Sequence, residues 1–193
     1  MDRKYEEDRS GIESNTVGVY RTAATVKGGR RFSFSAMIVC GDREGKVGLG
    51  YGKANQVPNA IEKAQKKAKR EMREFPLTGT TIPHEVTGRF GACSVRLVPA
   101  SPGTGVIAGA AVRAVLDLLG VQDCLSKAYG STNNKNLTKA VIDGLRQLRS
   151  RETVERLRKV TIDKTHTETS HEKTPVAVDV SRNEENISEE VTA

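Results

Sequence analysis

Gly48, Gly50 and Gly52 alternate with Val47, Leu49 and Tyr51 midway through the first half of the chain. That is the period of a β-strand with one side-chain face and one face of bare backbone. Glycine costs a strand stability, so three on one face point to a body pressed close against it. The body is either RNA or the neighbouring helix, with the helix favoured. Upstream, Phe32, Phe34, Ala36, Ile38 and Cys40 fall at period two, giving a strand with one core face. Before it lies a β-rich run of Val17, Val19, Tyr20, Thr22, Thr25 and Val26, interrupted by Lys27-Gly28-Gly29-Arg30-Arg31. Asp42-Arg43-Glu44-Gly45 reads as a turn. Downstream, Val57, Ala60, Ile61, Ala64, Ala68, Met72 and Phe75 form the apolar stripe of a helix, with Pro58 tolerated in its first turn. Strand, strand, strand and helix predict a small α+β domain over residues 17–76, whose sheet buries one face on one helix.

The second half, residues 77–160, has a different order. Ile82, Val86 and Thr87 suggest one strand and Ser94-Val95-Arg96-Leu97-Val98 another. Pro99 to Gly105 must be a loop. A helix pattern through Ala111, Val112, Val115, Leu116 and Leu119 ends at Gly120. A strand near Cys124–Tyr129 and a helix through Leu137, Ala140, Val141, Leu145 and Leu148 complete a ββαβα domain. The expected fold class is therefore α+β, built from two small two-layer domains.

Charge is segregated along the chain. Residues 1–16 carry 3 basic and 5 acidic side chains, an acidic N-terminal extension. Residues 17–160 hold 25 Lys or Arg against 11 Asp or Glu, and residues 161–193 hold 3 against 8. The last segment has almost no large apolar residues and cannot offset its ordering entropy, so a disordered acidic tail is expected there. A basic body of this density points to phosphate; the plainer reading is surface lysine for solubility. No apolar run approaches the length of a membrane-spanning helix, and residues 1–16 resemble neither a signal nor a transit peptide. Cys40, Cys93 and Cys124 cannot all pair, and their gaps of 53 and 31 fit no zinc-ligand spacing. A reduced, cytoplasmic protein with an anionic partner, and without metal or cofactor, is what these features leave.

Two loops invite chemistry. In Lys27-Gly28-Gly29-Arg30-Arg31 the glycines let backbone approach a phosphate and three cations neutralise it, although Gly-Gly is also a common solvated hairpin turn. The Gly48–Ala54 run fails the Walker pattern, because Ala54 stands where a Ser or Thr would bind magnesium. Pro99 to Ala110, a Pro/Gly-rich loop feeding a helix, looks a little like the phosphate loop of small-molecule kinases but lacks their serine run. A structural loop or a protein contact is the ordinary reading. His84 stands alone, and Cys40 reads as an inert small hydrophobe on a core-facing position. Catalysis has no positive signal.

Four motifs occur in order: Val26-Lys27-Gly28-Gly29-Arg30, Val47-Gly48-Leu49-Gly50-Tyr51-Gly52-Lys53-Ala54, Pro99-Ala100-Ser101 with Gly103-Thr104-Gly105, and Lys127-Ala128-Tyr129-Gly130-Ser131-Thr132-Asn133. Together, over about residues 17–150, they resemble the bacterial small-subunit ribosomal protein S-five family. The resemblance implies an N-terminal domain similar to a double-stranded-RNA-binding fold without its first helix. It also implies a C-terminal α+β domain sharing its topology with those kinases, which accounts for the kinase-like loop without any kinase. Proteins of this family bind small-subunit ribosomal RNA near the body–head junction and adjoin ribosomal proteins S-four and S-eight. They influence decoding accuracy, line the region where messenger RNA enters, and approach the spectinomycin site through their hairpin.

Carried onto this chain, the resemblance implies RNA contact at Arg21, Lys27, Gly28, Gly29, Arg30, Arg31 and Lys53, and contact with S-four at Gly103, Thr104 and Gly105. The chain departs from the family at Ala24, where relatives often carry Lys or Arg, and in an acidic tail longer than most. The rival readings are a free double-stranded-RNA binder, which leaves residues 81–150 without a task, and a small kinase using the loop from Pro99 to Gly109.

Overall fold

A computed structural model describes residues 11–160 and the backbone of Glu6 and Glu7. The expected acidic tail over 161–193, and most of the N-terminal extension, lie outside the described residues. The first sheet has five strands in sequence order: β1 (Glu6–Glu7), β2 (Glu13–Val26), β3 (Gly29–Gly41), β4 (Lys46–Ala54) and β5 (Arg73–Glu74), each antiparallel to the next. Between β4 and β5 runs α1 (Val57–Arg70). β2 starts at Glu13, four residues before the β-rich run begins, so the end of the acidic extension is part of the sheet.

The glycine face is closed by α1. A Cβ on Gly48, Gly50 or Gly52 would run into the backbone carbonyl of Ala68, Ala64 or Ala60 in turn. Those three alanines are fully buried, and with Ala36, Ile38 and Cys40 they form a small core of their own. Bare backbone against an alanine stripe brings helix and sheet unusually close. Of the two candidate bodies, the helix occupies this face.

The helix ends sooner than its apolar stripe implied. It stops at Arg70, where the Glu71 N–H bonds the carbonyls of Lys67 and Ala68, and Met72 and Phe75 lie beyond it. The reason is topological. Phe75 packs with Val39, Val47 and Ile82 on the opposite face of the sheet, so the chain leaves the helix and passes the sheet edge through β5. Phe32 also differs from expectation. It is 46% exposed, because the sheet runs on past the end of the small core.

The second sheet has the order β6 (Val86–Phe90), β7 (Cys93–Pro99), β9 (Cys124–Gly130), β8 (Val106–Ile107), antiparallel except for β8 against β9. α2 (Ala110–Leu119) and α3 (Asn134–Arg146) cover one face, and α4 (Arg151–Arg158) follows. The two-residue β8 and the exposed α4 were absent from the expected ββαβα order; both are too short for periodicity to reveal. Gly120 ends α2 at φ 95°, and Asn133 caps α3 by accepting from the Lys135 N–H at 3.1 Å.

The two α+β domains are joined by more than a linker. The sheet of the first was expected to bury one face, but β3 is buried on both: Ala36, Ile38 and Cys40 face α1, while Val39 belongs to the larger core with Leu116, Leu118 and Leu145. Main-chain bonds reinforce this contact. Arg43 N–H donates to the Leu118 carbonyl and Gly45 N–H to the Leu119 carbonyl, both at 3.0 Å. Asp42 holds that turn by accepting from Glu44 and Lys46 N–H groups at 2.8 and 2.9 Å.

Candidate nucleic-acid interface

The β2–β3 hairpin outruns its supports. Every residue from Arg21 to Phe32 is exposed, so six residues of β2 and four of β3, with the turn between them, project from the body by roughly 20 Å. Val26 pairs with Gly29, leaving Lys27 and Gly28 as the turn, and Gly29 opens β3 at φ 144°, a conformation that side-chain-bearing residues rarely adopt. No Asp or Glu stands between Glu13 and Asp42. The hairpin therefore carries Arg21, Lys27, Arg30 and Arg31 with no acid of its own.

Register sorts these cations. Arg21 lies opposite Phe34, Ala23 opposite Phe32 and Thr25 opposite Arg30, which puts Arg21 and Arg30 on one face. The Arg21 guanidinium sits 4.8 Å from the Phe32 ring centre, stacked and still open to solvent. Arg31 pairs with Ala24 on the other face, with Lys27 at the tip. A ribbon with cations on both faces and at its end can lie between phosphate runs, reading charge and shape rather than bases. At Ala24 the second face has a methyl opposite Arg31.

Lys53 is not with Arg21 and Arg30. It pairs with Ser35, and so shares the face of Arg31, Tyr20 and Tyr51 at the base of the hairpin. There the Lys135 ammonium from α3 lies 4.3 Å from the Tyr20 ring centre and 5.0 Å from that of Tyr51. A hydrogen bond with Ser35, and next the Lys135 and Lys53 charges, hold the Tyr51 phenol below its usual pKa against the opposing effect of burial. Lys139, one turn further along α3, lies 4.6 Å from the Phe90 ring centre. Neither lysine was singled out in sequence. They come from a helix some eighty residues away, and only the tertiary fold sets them beside the hairpin.

Gly103, Thr104 and Gly105 lie at the opposite kind of site, a tight neutral loop. Gly103 and Gly105 have φ of 89° and 76°, and a Cβ on either would point into open space. Thr104 bonds back to the Ser101 carbonyl through its hydroxyl at 2.8 Å and its N–H at 3.2 Å. The Gly105 N–H donates to Asp123 Oδ1 at 2.9 Å. That bond, then the Thr80 hydroxyl and the Gly103 and Thr104 N–H groups, pull the Asp123 carboxyl below the usual carboxylate range. Asp123 is itself buried, and sequence reading passed over it because a lone Asp carries no signal until its loop is folded onto it.

The remaining reactive side chains have structural partners. Burial pushes the Cys40 and Cys124 thiols up to about 11, leaving them protonated and weakly nucleophilic. Cys93 donates to the Ser131 carbonyl at 2.8 Å. His84 accepts the Arg149 N–H through Nε2 at 3.1 Å, tying the segment before β6 to the connection between α3 and α4. Among the described residues no three His, Cys, Asp or Glu side chains gather as a metal site.

Comparison with known proteins finds matches over both halves of the chain. The family model described as ribosomal protein S5, N-terminal domain, matches residues 12–76, and that for the S5 C-terminal domain matches residues 88–158. The chain is 54% identical over 153 residues to small ribosomal subunit protein uS5 of Syntrophobacter fumaroxidans, covering 79% of this chain and 92% of the relative. The protein of that name from Thermus thermophilus is 54% identical over 148 residues, 77% and 91% of the two chains. That of Rhodopirellula baltica is 52% identical over 149 residues, 77% and 84%. With both halves matched and such relatives nearly spanned, the chain belongs to the ribosomal protein S5 family.

Proposed function

We propose that the chain anchors ribosomal RNA near the body–head junction of the small subunit and contributes to the accuracy of decoding there. Family membership makes it a structural ribosomal component, not an enzyme, at work in the cytoplasm. The observation that carries the finer reading is the acid-free hairpin projecting with Arg21, Lys27, Arg30 and Arg31 exposed. Gly28 and Gly29 let its turn approach phosphate, and Lys53 adds charge at its base. Residues 17–76 act as the RNA-binding domain and residues 77–160 as the domain that meets neighbouring proteins.

Gly103, Thr104 and Gly105 form the contact with S-four through which accuracy is affected; S-eight and incoming messenger RNA are further neighbours. A loop without charge of its own, held by internal bonds and by the Asp123 carboxylate, suits a protein interface whose geometry matters more than its affinity. The test is sedimentation of tagged protein through sucrose gradients at stepped salt. Co-migration with the small subunit at salt that strips loose factors is expected. Migration at the top of the gradient at every salt would overturn the proposal.

A further inference from the structure

Between β4 and α3 lies a groove of about 690 Å³, lined from the first half by Tyr51, Lys67 and Arg73 and from α3 by Lys135, Lys139 and Arg146. Two acids share it, and both are engaged. Glu71 lies 3.8 Å from Lys67, and Asp143 accepts from the Arg89 N–H at 3.1 Å and from Gln147 Nε2 at 3.2 Å. Among the described residues, Arg73, Lys135, Lys139 and Arg146 have no carboxylate partner.

Lys135 and Lys139 stand one helical turn apart on α3, a like-charge spacing that destabilises a helix. Each ammonium rests on an aromatic ring, Lys135 on Tyr20 and Tyr51 and Lys139 on Phe90. The rings fix the position of the charges without neutralising them. A concave strip in which these four cations and Lys67 outnumber Glu71 and Asp143 concentrates polyanion, because low-dielectric walls focus its field. Through Tyr51 and Lys53 the strip runs on to the base of the hairpin.

We propose that this groove is a second ribosomal-RNA site, separate from the hairpin tip, which takes a run of backbone phosphates on Arg73, Lys135, Lys139 and Arg146. It rests on the reading of the chain as an rRNA binder and adds the surface by which the second half takes part. The ring faces toward the lysines are occupied, so the groove binds phosphates rather than stacked bases. An acidic protein segment is the other occupant of suitable charge; continuity with the hairpin surface favours RNA.

Lysine-to-RNA crosslinking with 2-iminothiolane on intact small subunits tests this in the wild-type protein. Nucleotide adducts on the peptides carrying Lys135 or Lys139 are expected. Adducts confined to Lys27 and the hairpin would overturn the proposal, as would links from Lys135 or Lys139 to another protein alone. A Lys135→Gln, Lys139→Gln double variant should leave the subunit at lower salt, with the salt dependence of retention reduced by about two ions. Unchanged retention in this variant would also overturn the groove. If the wild-type chain is not in the subunit at all, the rRNA reading itself falls; if it is present without these adducts, the groove falls alone.

Discussion

The Asp123 carboxylate, buried at the start of the β9 segment, accepts the Gly105 N–H at 2.9 Å and so fastens a surface loop to the second sheet. Beside it the Cys124 N–H donates to the Gly105 carbonyl at 3.2 Å. The Thr104 hydroxyl bonds only within the loop, to Ser101, and a Cβ on Gly103 would meet nothing within 4 Å. Because its folded pKa is depressed, the anchor is at full strength above the ordinary carboxylate value of about 4. It is lost only as pH falls through the lower folded value. Amide exchange at Gly105 should show the same protection at pH 7 and pH 5. Asp123→Ala should lose that protection at both, whereas Asp123→Asn, which keeps an acceptor oxygen, should retain part of it. Protection that already decays between pH 7 and 5 would count against the anchor.

The glycine strand gives a stability prediction. Gly50→Ala places a methyl group where the Ala64 carbonyl stands, and backbone on both sides leaves no flexible neighbour to yield. Overpacking of this kind typically costs about 1–3 kcal/mol, and urea unfolding should show at least that for Gly50→Ala. Gly28→Ala, in the exposed turn with open space around its α-carbon, should cost far less. Equal effects at the two positions would mean that α1 does not press on this strand.

The contrast between these glycines also shows what the sequence could tell. Alternation at period two located β3 and β4, and the alanine stripe located α1, because each pattern is local and burial follows it directly. The end of α1 was not legible, since Phe75 belongs to a core built by residues of the second half. The irregularity in β2 was hidden too. Thr16 pairs with Ile38 and Gly18 with Met37, so Val17 is the extra residue of a bulge, and this shift sets Tyr20 rather than Val19 opposite Ser35. Without it Tyr20 would not share a face with Tyr51 and Lys135. Lys27, Arg30 and Arg31 were legible because they lie in one run, and Arg21 only through the family resemblance; Lys135, Lys139 and Asp123 were not, because their partners are distant in sequence.

For the hairpin, charge and fold should separate cleanly. Lys27→Ala and Arg30→Ala remove exposed side chains that pack on nothing in the body, so unfolding midpoints should match wild type. Each should flatten the salt dependence of RNA binding by about one ion. Arg21→Ala should do more than remove a charge, since it also uncovers the Phe32 ring. A salt slope identical to wild type for both Lys27→Ala and Arg30→Ala would remove the hairpin from the interface.

The cysteines make a prediction with the opposite pH sign. Cys40 and Cys124 have thiols raised to about 11 by burial, so near pH 8 only about one in a thousand of either is thiolate. Alkylation of the native chain should spare both until it unfolds. Their contribution to stability is present below the ordinary thiol value and declines as pH rises toward 11, because the unfolded chain loses those protons first. Rapid labelling of Cys40 at pH 8 under native conditions would contradict its burial in the small core.

Gly105 offers the sharpest separation of assembly from accuracy. Its φ of 76° disfavours any side chain, yet a Cβ there would meet nothing within 4 Å. Gly105→Arg should therefore strain the loop and place a charge on its outer surface while leaving both cores untouched. Subunits carrying it should assemble to wild-type levels and show altered misreading in a stop-codon readthrough assay. Asp123→Ala, which loosens the same loop without adding bulk, should shift misreading in a milder way. Unchanged misreading for Gly105→Arg in fully assembled subunits would sink the assignment of this loop to accuracy. A change for Gly105→Arg but none for Asp123→Ala would mean that the added side chain, not the loop's anchorage, is what the neighbouring protein senses.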